Sequence, residues 1–176
     1  MMNLMYNDLT IRNATPGDAA ILCQWWNDGA VMEHAGFPNG IGTTEEEIAE
    51  KIRNENEHTW RRLLIFHGEK PIGEMCYVDS GEKVCEIGIK ICEKEYQNKG
   101  LGKIVLSMLF EELFGRGFEK IILDTMLENK RAQHVYEELG FCNVCVHENG
   151  WKDQMGKLRT VLDYEMKREE FCSYLK

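Results

Sequence analysis

The loop Gln97-Asn98-Lys99-Gly100-Leu101-Gly102-Lys103 decides the fold of this chain. It follows a run with β character, Val84–Ile91, and precedes an apolar helical segment, Ile104–Phe114. A strand that passes through a short glycine-bearing loop into a helix leaves backbone N–H groups unpaired at the positive end of the helix dipole. Such an arrangement binds phosphate oxygens. The two glycines let the backbone approach a ligand closely, and the two lysines add positive charge. The loop therefore predicts a ligand that carries a pyrophosphate.

Before this loop, the sequence predicts two helices and a set of strands. Thr15-Pro16-Gly17-Asp18 is a helix start, with a threonine N-cap and a proline at the first position, and this helix runs to about Asn27-Asp28-Gly29. Thr44 to Glu47 is a capping box that opens a second, polar helix to about Glu57. Four β-prone runs also lie before the loop: Leu9–Arg12, Arg62–Phe66, Ile72–Val78 and Val84–Ile91. Glycine-containing turns join the last three of them, which favours an antiparallel meander.

Beyond the loop, the pattern changes to strand–helix–strand. An apolar helix over Lys103–Arg116 is followed by a buried strand, Lys120–Thr125, which predicts a right-handed parallel crossover. A helix over Asn129–Leu139 then ends at Gly140. We expect a mixed α/β fold in one domain of residues 1–176, with a central sheet of about seven strands and about four helices. The sheet is antiparallel in its first half and parallel at its centre. The last two strands are Phe141–His147 and Leu158–Lys167.

Length and composition indicate a soluble globular chain. The 176 residues are 43% hydrophobic and 29% charged, which is ordinary for a globular protein. No apolar run approaches the ~20 residues that span a bilayer, and the N-terminus lacks the features of a signal peptide. We therefore expect a cytoplasmic protein with no membrane partner. A formal net charge of −9 argues against nucleic-acid partners. It suits a cationic acceptor, but an acidic surface also serves solubility alone.

Seven cysteines are scattered through apolar segments. An odd number in a chain without a signal peptide is typical of reduced, mostly buried thiols. Cys142 and Cys145 have CxxC spacing, but residues three apart on a strand point to opposite faces, and no second pair accompanies them. The histidines show no metal-ligand spacing either, so no metal is expected. They include His58, His67, His134 and His147.

The loop glycines differ from two familiar nucleotide-binding patterns. A dinucleotide-binding fold carries G-x-G-x-x-G after its first strand, whereas this loop follows about the fourth strand. A P-loop ends in Gly-Lys-Ser/Thr, whereas Gly102-Lys103 is followed by Ile104.

A second motif lies downstream: Asn129-Lys130-Arg131-Ala132, then Tyr136-Glu137-Glu138-Leu139-Gly140-Phe141. Together the two motifs resemble the GNAT superfamily of acetyl-CoA-dependent N-acetyltransferases, whose fold this chain is expected to share.

The resemblance covers nearly the whole chain and extends to a branch of the superfamily. Trp25-Trp26-Asn27-Asp28 and the ending from Asp163 to Phe171 are similar to RimJ/RimL-type ribosomal-protein N-terminal acetyltransferases. Bacterial polyamine and aminoglycoside acetyltransferases are similar in the same regions. The stretch Asn149–Gly156 departs from the RimL-like pattern, and we expect it to reshape the acceptor pocket.

The resemblance implies a binding site for acetyl-CoA. Backbone amides of residues 97–103 would hold the pyrophosphate of CoA. The edge of the fourth strand around Ile89 and Ile91 would pair with the pantetheine arm, and Asn129 would hydrogen-bond that arm. The alternative for the loop is an empty structural turn. The alternative for Asn129 is that it is a simple helix N-cap, and the residue can both cap the helix and contact CoA.

The resemblance also implies catalytic residues. Tyr136 lies where the family has the tyrosine that protonates the departing CoA thiolate; the alternative is a core tyrosine. Glu86 is the candidate base, fourteen residues before Gly100, where the histone-acetyltransferase branch carries its catalytic glutamate. A solvated strand residue, with a water chain as the base, is the alternative there. The segment that lines the acceptor site in relatives contains the aromatic residues Trp26, His34 and Phe37, which could equally belong to the core.

The leading function is acetyl transfer from acetyl-CoA to a primary amine by direct attack in a ternary complex. The acceptor is either a protein N-terminus, as for the ribosomal-protein enzymes, or a small cationic amine such as a polyamine or an aminoglycoside. An acyl-CoA-binding sensor without catalysis and a nucleotide-binding domain are the alternatives. The oligomeric state stays open, with a homodimer as one option.

Overall fold

The computed structural model describes residues 1–56 and 58–176, in which one eight-stranded sheet is covered by helices on both faces. The spatial strand order is β1-β2-β3-β4-β5-β6-β8-β7. The strands are β1 (Asn3–Tyr6), β2 (Leu9–Asn13), β3 (Trp60–His67), β4 (Lys70–Asp79), β5 (Val84–Ile91), β6 (Lys120–Met126), β7 (Cys142–Lys152) and β8 (Leu158–Lys167). The α-helices are α1 (Ala19–Asn27), α2 (Gly29–Met32), α3 (Glu45–Asn54), α4 (Leu101–Gly115) and α5 (Lys130–Leu139).

The expected mixed α/β fold is confirmed, with two additions in the described residues. β1 is an eighth strand that pairs antiparallel with β2 at the sheet edge. It was not predicted, because it is only four residues long and its consecutive apolar residues Leu4, Met5 and Tyr6 do not show the apolar–polar alternation of a strand, although their burial alternates between exposed and half-buried. The one-turn helix α2 directly follows α1, in a stretch for which the sequence predicts no helix. The described residues therefore contain five α-helices rather than about four.

Local capping signals place the helix starts well. Thr44 Oγ1 accepts from the N–H of Glu47 in α3, and the Glu47 carboxylate accepts from the N–H of Thr44, which confirms the capping box. α3 ends at Asn54 because Glu55 is extended and its carboxylate accepts from the N–H of Arg62. The expected end at Glu57 falls outside the described residues. No helix in the described residues has both the length and the apolar character needed to cross a bilayer.

Two apolar clusters hold the helices on the sheet. On one face, α4 and α5 pack on the strands through Phe110, Leu139 and Ile87. On the other face, α1 and α3 cover the first half of the sheet through Trp25 and Ile48. Because strand side chains alternate between faces, β3 contributes to both clusters: Leu63 and Ile65 face α4, and Leu64 faces α1.

The sheet opens between β5 and β6. These two strands are parallel, as expected at the sheet centre, but they pair over only three residues, Val84–Glu86 with Lys120–Ile122. β4 stays paired with β5 as far as Ile91. The β6-facing edge of β5 therefore has no partner strand beyond Glu86, and the gap lies next to the N-terminus of α4. This divergence positions the site.

Candidate active site

A cavity of about 1140 Å³ lies where β5 and β6 diverge. Its walls come from β4, β5, the 97–103 loop, β6, α5 and the β7–β8 hairpin. Most of the residues proposed from sequence line this one cavity, although they are spread over more than a hundred positions of the chain. The predicted residues that line it are His34, Glu86, Ile89, Ile91, Gln97, Asn98, Gly100, Leu101, Gly102, Lys103, Asn129 and Tyr136; Trp26, Phe37 and Lys99 lie outside its lining.

The 97–103 loop presents open backbone at the start of α4. Gly100 is the N-cap and adopts a left-handed conformation, φ 75°, which a residue with a Cβ adopts only with strain. No side chain caps this helix end. A Cβ added to Gly100 or Gly102 would meet nothing within 4 Å. The first-turn N–H groups are therefore available to an anion beside the cavity.

Gln97 ties this loop to the end of β5. Its Nε2 donates to the carbonyl of Ile91 over 2.9 Å, and its Oε1 lies 3.5 Å from Arg131 Nη1. Arg131 also donates to Asn98 Oδ1 over 3.1 Å. The side chain of Gln97 thus shapes the loop, and Arg131 brings a cation to the cavity wall. Arg131 was not predicted as a site residue, although it lies within the second motif.

The two lysines of the loop carry less of the site's positive charge than expected. Lys103 Nζ lies 3.0 Å from Glu138 Oε2, so that much of its charge is neutralised locally. Lys99 Nζ lies over the ring of Tyr96, 5.6 Å from the centroid, and lies outside the cavity lining. Arg131 and Lys94 also line the cavity and add positive charge there, whereas Arg62 and Lys90 in the lining are paired with Glu74.

Tyr136 and Asn129 project from α5 and its N-cap. Asn129 Oδ1 accepts from the N–H of Ala132 over 3.2 Å, so it is a helix cap that also lines the cavity. The ring of Tyr136 is buried against Phe141 and Tyr164. Burial, with Asp124 and Tyr164 adding to the effect, raises the pKa of Tyr136 to about 12. Its hydroxyl therefore keeps its proton at neutral pH and can act as an acid.

Glu86 belongs to a row of carboxylates on the cavity face of the sheet. Its neighbours Cys85 and Ile87 point into the core, so Glu86 points to the opposite face. Asp124 on β6 lies directly opposite Asp163 on β8. Partial removal from water, followed by the charges of Asp124 and Asp163, raises the pKa of Glu86 above its ordinary value. Burial and Asp163 likewise raise the pKa of Asp124.

The carboxylate row leads to a prediction about stability. The pKa of Asp124 is higher in the folded chain than in the unfolded chain, so folding favours the protonated carboxyl. The free energy of unfolding therefore falls as the pH rises from the pKa of the unfolded chain through the pKa of the folded chain. Asp124→Asn should therefore have a higher Tm than the unchanged chain at pH 7 to 8. The difference should vanish below about pH 3.5, beneath the unfolded value. Thermal unfolding followed across pH measures both.

Asp18→Asn is the matched control of opposite sign. Burial opposes ionisation of Asp18, but hydrogen bonds from Arg12 and Thr15 lower its pKa overall. Its ionised form thus stabilises the fold above the unfolded pKa and loses that effect as pH falls through the folded value. Asp18→Asn should lower Tm at pH 7. A lower Tm for Asp124→Asn at pH 7 would contradict the reasoning.

Of the three predicted acceptor residues, only His34 reaches the cavity. Trp26 is buried; its Nε1 donates to Glu74 Oε1 over 2.8 Å, and Arg62 stacks on its ring at 4.4 Å. Phe37 is partly buried against the cluster beneath α1. Both side chains belong to the apolar cluster that packs α1 on the sheet, so an acceptor role for them stays a prediction.

The β7–β8 hairpin closes the far end of the cavity. Its Asn149–Gly156 segment, expected to reshape the pocket, docks on the loop after α2. Gln154 donates from its N–H to the carbonyl of Gly36 and from Nε2 to that of Gly40. Trp151 lies so close to Gly36 that an added Cβ would be 1.8 Å from the indole. Trp151 also lines the cavity.

The cysteines depart from expectation in two ways. Cys142, Cys145 and Cys172 are exposed, whereas mostly buried thiols were expected. In addition, Cys142 lies opposite Glu165 and Cys145 opposite Asp163, two residues that share a face of β8. The prediction that the CxxC cysteines point to opposite faces is therefore wrong. A register shift between Asn143 and Cys145 adds one residue to β7 and reverses the alternation.

Comparison with known proteins places this geometry in a family. The sequence profile of the acetyltransferase (GNAT) family matches residues 18–141. The chain is 32% identical over 65 residues to the ribosomal protein bS18-alanine N-acetyltransferase of Escherichia coli K12, a match that covers 37% of this chain and 44% of that enzyme. This relative agrees with the ribosomal-protein branch indicated by the sequence. The chain spans less than half the length of the curated relatives it matches.

Two solved structures share the fold over nearly the whole chain. A GNAT-family acetyltransferase from Streptococcus pneumoniae has a TM-score of 0.75 at 27% identity, covering 90% of this chain and 99% of that one. Spermidine N-acetyltransferase from Vibrio cholerae, solved with CoA and spermine, has a TM-score of 0.83 at 21% identity, covering 94% and 98%. The family expected from the two sequence motifs is confirmed. The chain belongs to the acetyltransferase (GNAT) family.

Proposed function

We propose that this chain transfers the acetyl group of acetyl-CoA to a primary amine by direct attack in a ternary complex, with residues 1–176 acting as one domain. One observation carries the proposal. A free helix N-terminus, a protonated tyrosine and a carboxylate of raised pKa line one cavity at the divergence of β5 and β6. An anion site, an acid and a base are the three elements that such a reaction needs.

Three features of the cavity lining support CoA as the ligand. The N–H groups of residues 98–103 would hold the pyrophosphate, assisted by Arg131. The unpartnered edge of β5 around Ile89 and Ile91 would pair with the amide groups of the pantetheine arm, as an added strand does. Asn129 would contact the same arm. A CoA molecule bound along this path would have its thioester near Tyr136 and Glu86.

Glu86 and Tyr136 would divide the proton transfers. Glu86, directly or through water, accepts the proton that the attacking ammonium must lose. Unpaired N–H groups of β5 stabilise the oxyanion that forms when the amine nitrogen bonds to the thioester carbon. As the carbon–sulfur bond breaks, the Tyr136 hydroxyl donates its proton to the thiolate. No acyl-cysteine intermediate is required.

The carboxylate row bears on the acceptor. Glu74, deeper in the wall, is neutralised by Arg62 at 2.7 Å and Lys90 at 3.4 Å. Within residues 1–56 and 58–176, by contrast, no lysine or arginine forms an ion pair with Glu86, Asp124 or Asp163. Their charge favours a small amine with a second cationic group. A protein N-terminus, the acceptor implied by the ribosomal-protein relative, is the second candidate.

Thiol release from acetyl-CoA tests the proposal. The purified chain is offered spermidine, an aminoglycoside, and peptides with neutral or basic N-terminal sequences. We expect amine-dependent release of CoA thiol, fastest with the polycationic small amines. Release with peptides only would overturn the acceptor preference. Tight binding of CoA without release for any amine would overturn the enzymatic proposal and favour a sensor.

A further inference from the structure

The outer end of the carboxylate row gathers three different metal-ligand types. Atoms of Cys145, His147 and Asp163 all lie within 4.8 Å of one another. Cys145 on β7 is directly opposite Asp163 on β8, and His147 Nε2 is 2.7 Å from Asp163 Oδ2. The residues come from two strands, and the register shift in β7 sets which of its side chains oppose Asp163. Histidine and cysteine spacing along the sequence therefore could not reveal the group.

The donor set selects the kind of cation. A thiolate, an imidazole and a carboxylate together suit a borderline cation such as Zn²⁺, whereas Mg²⁺ and Ca²⁺ prefer oxygen donors alone. Asp124 lies directly opposite Asp163 on β6, outside the group whose ligand atoms lie within 4.8 Å of one another, so its side chain would have to turn toward the site to serve as a fourth ligand. The absence of any lysine or arginine ion pair to Asp124 or Asp163 among the described residues leaves this negative charge for a bound cation.

We propose that Cys145, His147 and Asp163 bind Zn²⁺, with Asp124 or water as the fourth ligand. Tetrahedral zinc with bonds of about 2.0–2.3 Å needs ligand atoms nearer than 4.8 Å. Cys145 and His147 are exposed, so side-chain rotation can bring them in. The Cys145 thiol loses its proton on binding. The three ligands are presented by two hydrogen-bonded strands rather than by loops, which limits the ordering that binding requires.

A cation at this site would affect the proposed acetyl transfer because the site lies in the same cavity. His147, Asp163 and Asp124 all line the cavity, on the face that carries Glu86. A cation there occupies the place proposed for a second positive group of the amine. Zinc should therefore compete with a polycationic acceptor and leave CoA binding unchanged. This consequence rests on the proposed function, whereas zinc binding itself does not.

Co²⁺ titration of the full chain tests the binding. We expect one equivalent of Co²⁺ to give a sulfur-to-cobalt charge-transfer band with the intense visible bands of tetrahedral cobalt, and Zn²⁺ to abolish both. Cys145→Ser should remove the charge-transfer band, and Cys142→Ser, the matched control in the same strand, should keep it. His147→Gln should weaken binding by more than the roughly 10- to 100-fold that loss of an outer partner costs.

Two results would overturn the site. One is the absence of a charge-transfer band in the unchanged chain; the other is a band that survives in Cys145→Ser. Thermal unfolding of each variant without metal shows whether it is folded.

Inhibition of thiol release tests the functional consequence. Zn²⁺ should inhibit the unchanged chain and Cys142→Ser at matching concentrations, and it should inhibit Cys145→Ser at least tenfold more weakly. Equal inhibition of the unchanged chain and the two variants would contradict the claim that zinc at this site competes with the amine. A chain that binds Co²⁺ but turns over no amine would leave the site standing and refute the proposed function alone.

Discussion

Tyr136→Phe is expected to lower kcat for acetyl transfer by about 10²- to 10⁴-fold, the usual contribution of a positioned acid, with little change in CoA affinity. The pKa of about 12 keeps the Tyr136 hydroxyl protonated throughout the physiological range. The hydroxyl is therefore in the protonated form that can donate a hydrogen bond to the negative charge developing on sulfur as the carbon–sulfur bond breaks. Removing the hydroxyl leaves the ring packing against Phe141 and Tyr164 in place. Steady-state kinetics and calorimetric titration with CoA measure the two effects.

Tyr164→Phe is the matched control for this change. Tyr164 is a buried tyrosine beside Tyr136, but its hydroxyl lies 3.3 Å from Glu137 Oε1 and the residue does not line the cavity. It should keep kcat within a few-fold of the unchanged chain. If both variants lost activity equally, or neither did, Tyr136 would be a packing residue and a different acid would have to be sought.

Gly102→Glu is expected to weaken binding of CoA and acetyl-CoA by at least about 100-fold. The new carboxylate would lie in the first turn of α4, where the pyrophosphate is proposed to bind. Losing two charge-assisted hydrogen bonds at about 1.5 kcal/mol each amounts to about 3 kcal/mol, which corresponds to a factor of more than a hundred. Folding should survive, because an added Cβ at Gly102 meets nothing within 4 Å. Calorimetric titration with CoA measures the loss.

Gly115→Glu separates this effect from a general effect of a new charge in α4. Gly115 is the last residue of the same helix, and its Cβ would also meet nothing within 4 Å. It should bind CoA as the unchanged chain does. Unchanged affinity in Gly102→Glu, or an equal loss in both variants, would place the pyrophosphate elsewhere.

Local signals explain why much of the fold and the proposed CoA site could be predicted. β5 runs over Val84–Ile91 as expected, since its β-prone residues follow a glycine-containing turn and give way to a charged stretch after Cys92. The N-cap at Asn129 and the C-terminal Gly140 of α5 are likewise read from adjacent residues. These local signals locate the elements, but the resemblance to the acetyltransferase family is what assigned Gln97–Lys103 and Tyr136 to one site, and of these residues only Lys99 lies outside the cavity lining.

Features that depend on strand order and register could not be predicted in the same way. The carboxylate row exists because β8 lies between β6 and β7, which sets Asp163 opposite Asp124. The bulge in β7 has no local signal strong enough to locate it, yet it decides that Cys145 faces Asp163. The docking of Gln154 and Trp151 on the loop after α2 joins segments about 115 residues apart.

The crystal structure of the chain with CoA tests the central claim most directly. The pantetheine arm should enter the gap between β5 and β6 and pair with the free edge of β5. The pyrophosphate oxygens should accept from N–H groups of residues 98–103, and the sulfur should lie within hydrogen-bond reach of the Tyr136 hydroxyl. A pyrophosphate bound away from the start of α4, or a sulfur that cannot reach Tyr136, would contradict the proposed site.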